Sequence, residues 1–133
     1  MNPHYPAVAQ RAQHRCEYCL APEVIFNFHF EVEHIVPLSK AGEDKLPNLA
    51  LACRSCNLYK AAHKEFPEPD SEQLVILFNP RVNVWSEHFE IDLLTAEIIG
   101  LTQNGRASIV CLRMNSSAQK IARQQWVQLG LYP

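Results

Sequence analysis

Four of the five cysteines fall in two Cys-x-x-Cys pairs, Cys16/Cys19 and Cys53/Cys56, and this spacing constrains the fold more than any other feature. A Cys-x-x-Cys turn aims two thiolates at one point, and two such turns supply the four ligands, at about 2.3 Å each, of a tetrahedral zinc site. The expectation is one structural Zn2+ held by Cys16, Cys19, Cys53 and Cys56. Four thiolates close the coordination sphere, so an ion held this way carries no substrate, and any chemistry lies elsewhere in the chain. The 33 residues between the pairs exceed the roughly 15–20 of a zinc-ribbon spacer, so something substantial is inserted there. Cys111 stands alone in the apolar stretch 107–112 and reads as a small core residue.

A chain of 133 residues buries about two thirds of its unfolded surface, enough for a core without a disulfide framework. No stretch approaches the roughly 18 apolar residues of a membrane span, and the first residues carry neither a basic nor an apolar leader segment. A soluble, cytoplasmic protein is expected. With 12 Lys and Arg against 14 Asp and Glu, the formal net charge is −2. Neither half conceals a basic region: residues 1–66 hold seven basic and seven acidic side chains, residues 67–133 five and seven. Contact with nucleic acid would therefore depend on a local patch or a bound metal and not on a broad basic face.

Residues 4–15 lack internal glycine and place Pro6 where a first helical turn tolerates it, which predicts a short helix. Residues 28–36 alternate with period two, predicting a half-buried strand with Phe28, Phe30 and Val32 on one face and His29, Glu31 and Glu33 on the other. Pro37, Gly42 and Pro47 punctuate a loop, after which residues 49–52 can return as a hairpin partner. Residues 55–65 favour a helix that ends before Pro67, and residues 67–73 read as a solvated connector. Residues 74–78 are a short apolar run, residues 89–91 and 98–101 can form edge strands, Thr102 can cap a helix to about Arg113, and a last helix is expected over 117–129. The fold class is α+β. The expected organisation is a zinc-clamped core with an N-terminal helix at residues 1–66, and a mixed α/β extension at residues 67–133 packed on it in a single compact domain.

Inside the clamp, Glu33 and His34 close the first strand, Asn48 enters the second, and Asn57 follows Cys56. Cutting a phosphodiester needs an activated water, a cation against the phosphate and help for the departing oxygen. His34 can take the proton from water, since the unperturbed pKa of an imidazole, about 6.5, makes it an available base near neutrality. Asn48 can orient its ring. Glu33 and Asn57 offer the hard oxygens that suit Mg2+ or Mn2+.

These residues resemble a known family. Residues 16–19 (Cys-Glu-Tyr-Cys), residues 32–39 (Val-Glu-His-Ile-Val-Pro-Leu-Ser), Gly42, Asn48-Leu49 and residues 53–60 (Cys-Arg-Ser-Cys-Asn-Leu-Tyr-Lys) look like the zinc-clamped branch of the HNH endonucleases. Order and spacing match over residues 16–60. Asn79-Pro80-Arg81, Trp85, Glu87-His88-Phe89, Gly100-Leu101-Thr102 and Gly105-Arg106-Ala107 are similar to the C-terminal extension of stand-alone bacterial members. The resemblance implies a ββα-metal core in which His34 is the general base, Asn48 orients it, and Glu33 and Asn57 bind a catalytic Mg2+ or Mn2+. Two positions depart from the family pattern: Glu33 stands where Asp or His is usual, and Asn57 where His is.

The expected activity is hydrolysis of nucleic-acid phosphodiesters, with DNA the expected substrate and no membrane partner. Lys60, one helical turn after Asn57, is a candidate phosphate contact, His63 a candidate ligand or phosphate contact, and Arg81 a candidate for a backbone-binding groove beside Trp85. The rival reading is a non-catalytic zinc-binding module that docks nucleic acid or protein. Oligomeric state is not legible in these residues.

Overall fold

In the computed structural model, which describes residues 1–133, three separate antiparallel hairpins and five helices pack around one cluster of 25 buried apolar residues running from Tyr5 to Tyr132. All five cysteines belong to that cluster. The mixed content of helices and small antiparallel strands is α+β, as the sequence predicts. No helix is long and apolar enough to cross a membrane.

The first helix, α1 (Tyr5–Arg11), has Pro6 in its opening turn and is shorter than the expected 4–15. It ends because Gln13 and His14 take positive φ values of 54° and 56°. That turn brings Arg15 into a bridge with Pro22 and lets Cys16 N–H donate to the Ala21 carbonyl at 2.9 Å, which closes the first cysteine turn. Strand β1 (Glu31–His34) pairs antiparallel with β2 (Leu49–Ala52), Glu33 opposite Ala50 and His34 opposite Leu49. The predicted facing of the long strand does not hold. Phe28 lies before β1 and is exposed, whereas Glu33 is 4% exposed, because its carboxylate faces α2 (Arg54–Lys60), the helix that follows β2.

Helix α2 stops at Lys60, five residues before the expected end, where Ala61 adopts φ 48° and turns the chain out of the helix. The segment expected as a solvated connector is instead part of a hairpin, β3 (Glu65–Pro67) with β4 (Leu74–Ile76). A short helix α3 (Trp85–His88) then leads into a third hairpin, β5 (Phe89–Asp92) with β6 (Glu97–Gly100), formed by the two predicted edge strands. Thr102 caps α4 (Gln103–Cys111) by accepting from Gly105 N–H at 3.1 Å, as expected, and Ser116 caps α5 (Ser117–Gln128) through Gln119 N–H.

Four contacts bind the extension to the first cysteine turn. Trp85 Nε1–H donates to the Tyr18 carbonyl and Tyr132 O–H to the Cys19 carbonyl, both at 2.8 Å. Arg81 pairs with Glu17, and Arg15 reaches the Leu131 carbonyl at 2.9 Å. The turn that presents two sulfurs is therefore gripped from residues 64 to 116 positions away in sequence.

Candidate active site

The metal centre is set by the two cysteine turns. The N–H groups of Cys19 and Cys56 each lie 3.5 Å from the sulfur three residues earlier, Cys16 and Cys53, the geometry that folds a Cys-x-x-Cys turn around an ion. The four sulfurs lie within 4.8 Å of one another and are buried, and no disulfide joins them. Cys19 Sγ and Cys53 Sγ are 3.7 Å apart. A tetrahedron with bonds of about 2.3 Å has sulfur-to-sulfur edges of about 3.8 Å, the spacing Cys19 and Cys53 already have, so the quartet suits zinc. It is the one group of three or more His, Cys, Asp or Glu donors gathered this closely.

Above this base the hairpin and α2 hold three polar groupings. In the first, Glu33 receives the Lys60 ammonium at 2.8 Å on one carboxylate oxygen and the Tyr18 hydroxyl on the other. Lys60 is 1% exposed and also donates to the carbonyls of Ile35 at 2.8 Å and His34 at 3.3 Å. Burial pushes the Glu33 carboxyl above the usual carboxylate range, against the pull of Lys60 and Tyr18, and the same burial lifts the Tyr18 phenol well above its ordinary value. Where the sequence suggests an open carboxylate for a catalytic ion, both Glu33 oxygens are engaged. Where it suggests a lysine free to meet phosphate, the ammonium is buried, because α2 lays its last turn against the inner end of β1.

The second grouping is half-buried. Asn57 donates its side-chain amide to Glu31, whose other oxygen accepts from Arg54 at 3.0 Å. Glu31 and Asn57 line a groove of about 430 Å³ together with Tyr5, His29 and Val32.

The third carries His34. Its Nε2 lies 2.9 Å from Asp44 Oδ1, and the ring is 23% exposed at the end of β1. Asn48, expected to orient this ring, does not touch it. Its amide accepts from Val36 N–H at 2.9 Å and donates to the carbonyls of Val36 at 3.0 Å and Glu43 at 2.8 Å, closing the loop between the strands. No hydrogen bond joins the side chains of Glu33, His34, Asn48 and Asn57 to one another.

Outside the hairpin, Arg81 is committed to Glu17 and mostly buried, and His63 is exposed with its ring edge-on to Phe66 at 5.5 Å. Sequence reasoning missed Tyr18, Glu31 and Asp44. Glu31 shares the face of Glu33 by the period of two, so the alternation already held that signal. Tyr18 and Asp44 reach their partners only through turns, which no periodicity describes.

Residues 16–63 match the family model described as HNH endonuclease. No curated protein and no solved structure matches the chain. The matched span begins at the first ligand cysteine and takes in the β1–β2 hairpin, the second cysteine turn and α2. With four cysteines placed to bind a metal at its base, this third of the chain is similar to an HNH endonuclease domain.

Proposed function

We propose that the protein is a nuclease that hydrolyses nucleic-acid phosphodiester bonds, DNA in the first instance, with His34 as the general base. The observation that carries this reading is the position of His34 within the HNH domain: partly exposed at the end of β1, one ring nitrogen engaged by Asp44 and the other without a partner in the chain. A neutral imidazole held this way removes a proton from water, and the resulting hydroxide oxygen bonds to phosphorus as the bond to the departing sugar oxygen breaks. The departing oxygen takes a proton from solvent.

A divalent ion such as Mg2+ or Mn2+, when bound, would neutralise the scissile phosphate and the charge developing on the leaving oxygen. The two residues expected to hold it fit unevenly. Asn57 uses its amide nitrogen on Glu31, leaving its oxygen as a donor a cation can use. Glu33 has no free oxygen, so the requirement for a divalent ion rests on phosphodiester chemistry and on Asn57 alone. The same Glu33–Lys60 pair favours the second reading, a zinc-stabilised module that docks nucleic acid without cutting it.

Plasmid nicking in Mg2+ and in Mn2+ separates the two. The nuclease reading expects cleavage that His34→Ala abolishes while zinc content and melting stay intact; cleavage absent with every divalent ion, or equal in His34→Ala, leaves the docking module.

A further inference from the structure

Asn48 is tied to the backbone of its own loop, which leaves the ring of His34 to be oriented by another residue. We infer that Asp44 is the positioning residue of His34, and that it fixes the proton on Nε2 so that Nδ1 presents the lone pair that receives the proton from water. This rests on the nuclease reading above.

A carboxylate only accepts hydrogen bonds, and a neutral imidazole carries one N–H. At 2.9 Å from Asp44 Oδ1, a neutral His34 satisfies the contact in one tautomer, with the proton on Nε2. The loop that carries Asp44 is held in place. Asn48 fastens the Glu43 carbonyl, next in sequence to Asp44, to both polar groups of Val36. Gly42 closes against the same backbone, where an added Cβ would stand 1.8 Å from the Val36 carbonyl oxygen and 2.9 Å from that of Pro37. Asn48 thus acts on His34 at one remove, through the loop.

The surroundings of Asp44 fit this role. Its side chain is 59% exposed, and exposed ion pairs add little to folding stability, so the contact is not a structural brace. His4 Nε2 lies 3.6 Å from the second Asp44 oxygen, a longer contact than the 2.9 Å one to His34 and on the other oxygen. His4, Asp44 and His34 are not gathered into a donor group of the kind the four cysteines make.

The test uses the full zinc-loaded chain. Nitrogen and carbon NMR shifts of the His34 ring report its tautomer, and plasmid nicking reports kcat and KM. Asp44→Asn, whose amide can donate or accept, should mix the two tautomers and lower kcat by about a hundredfold, at the low end of what a positioned base contributes. KM, zinc content and melting should hold, and Asp44→Glu should recover part of the rate. An unchanged His34 tautomer in Asp44→Asn overturns the proposal, as does wild-type kcat in an active enzyme, or a rate loss accompanied by loss of zinc or a lowered melting temperature. If the wild-type chain cuts nothing yet Asp44→Asn still shifts the tautomer, the nuclease reading fails and the positioning contact stands.

Discussion

Replacing Lys60 with methionine keeps most of the side chain's bulk and removes a charge that three oxygens share. The ammonium sits 2.8 Å from Glu33 Oε2, 2.8 Å from the Ile35 carbonyl and 3.3 Å from the His34 carbonyl, and both members of the ion pair are almost wholly buried. Without it Glu33 keeps only Tyr18, and its charge lies uncompensated in the core. Breaking one side of a buried pair costs about 3–5 kcal/mol. A chain of this length melts some 3–5 °C lower per kcal/mol lost, which places Lys60→Met about 10–20 °C below wild type. Thermal unfolding followed by circular dichroism, with zinc saturating, measures the shift.

The double variant Glu33→Gln/Lys60→Met removes both charges and should recover a substantial part of the loss. The pH dependence has a fixed sign. Burial already raises the Glu33 carboxyl in the folded state, and removing Lys60 raises it further. A raised folded-state pKa means that stability is gained as the proton binds and lost as the pH climbs through that value. The deficit of Lys60→Met should therefore narrow as the pH falls from neutrality towards about 4.3, the ordinary glutamate value. A single variant within about 1 kcal/mol of wild type at pH 7 would refute the reasoning, since breaking a buried pair costs several times that. So would a double variant no more stable than Lys60→Met alone.

Two further outcomes concern the clamp and the loop. The purified chain should hold one tightly bound zinc, and both Cys53→Ser and strong chelation should cost metal and fold together, read by metal analysis and far-ultraviolet circular dichroism; a chain that stays folded after chelation would contradict this. Gly42→Ala must displace the Val36 carbonyl, 1.8 Å from the added carbon, and should destabilise by about 1–3 kcal/mol in urea unfolding while leaving zinc content unchanged.

The sequence was most informative where residue type and spacing both count. The Cys-x-x-Cys pairs define a tetrahedron whatever lies between them, and the hairpin pairing of residues 49–52 followed from alternation and turn residues. It was least informative where a charged side chain is buried. Lys60 and Glu33 read as surface groups because charge ordinarily stays in water, yet each here neutralises the other. Arg123 is another buried charge of this kind. The buried face of α5 is Gln119, Arg123 and Trp126, with Arg123 donating to the carbonyls of Ala96 and Met114, whereas Ile121 and Leu129 are exposed. At the candidate site, His34 was visible from its neighbours in the chain. Its partner was not, because Asp44 lies ten positions further along the chain and is delivered to the ring by a loop.

The metal-facing sulfurs are also core side chains, and Cys111, the last residue of α4, is buried in the same cluster. An alkylating reagent cannot reach any of the five thiols until the packing around it parts. The pace of labelling then becomes a clock for breathing motions: the quartet should react together, timing the release of the clamp, while Cys111 keeps its own time for the end of α4.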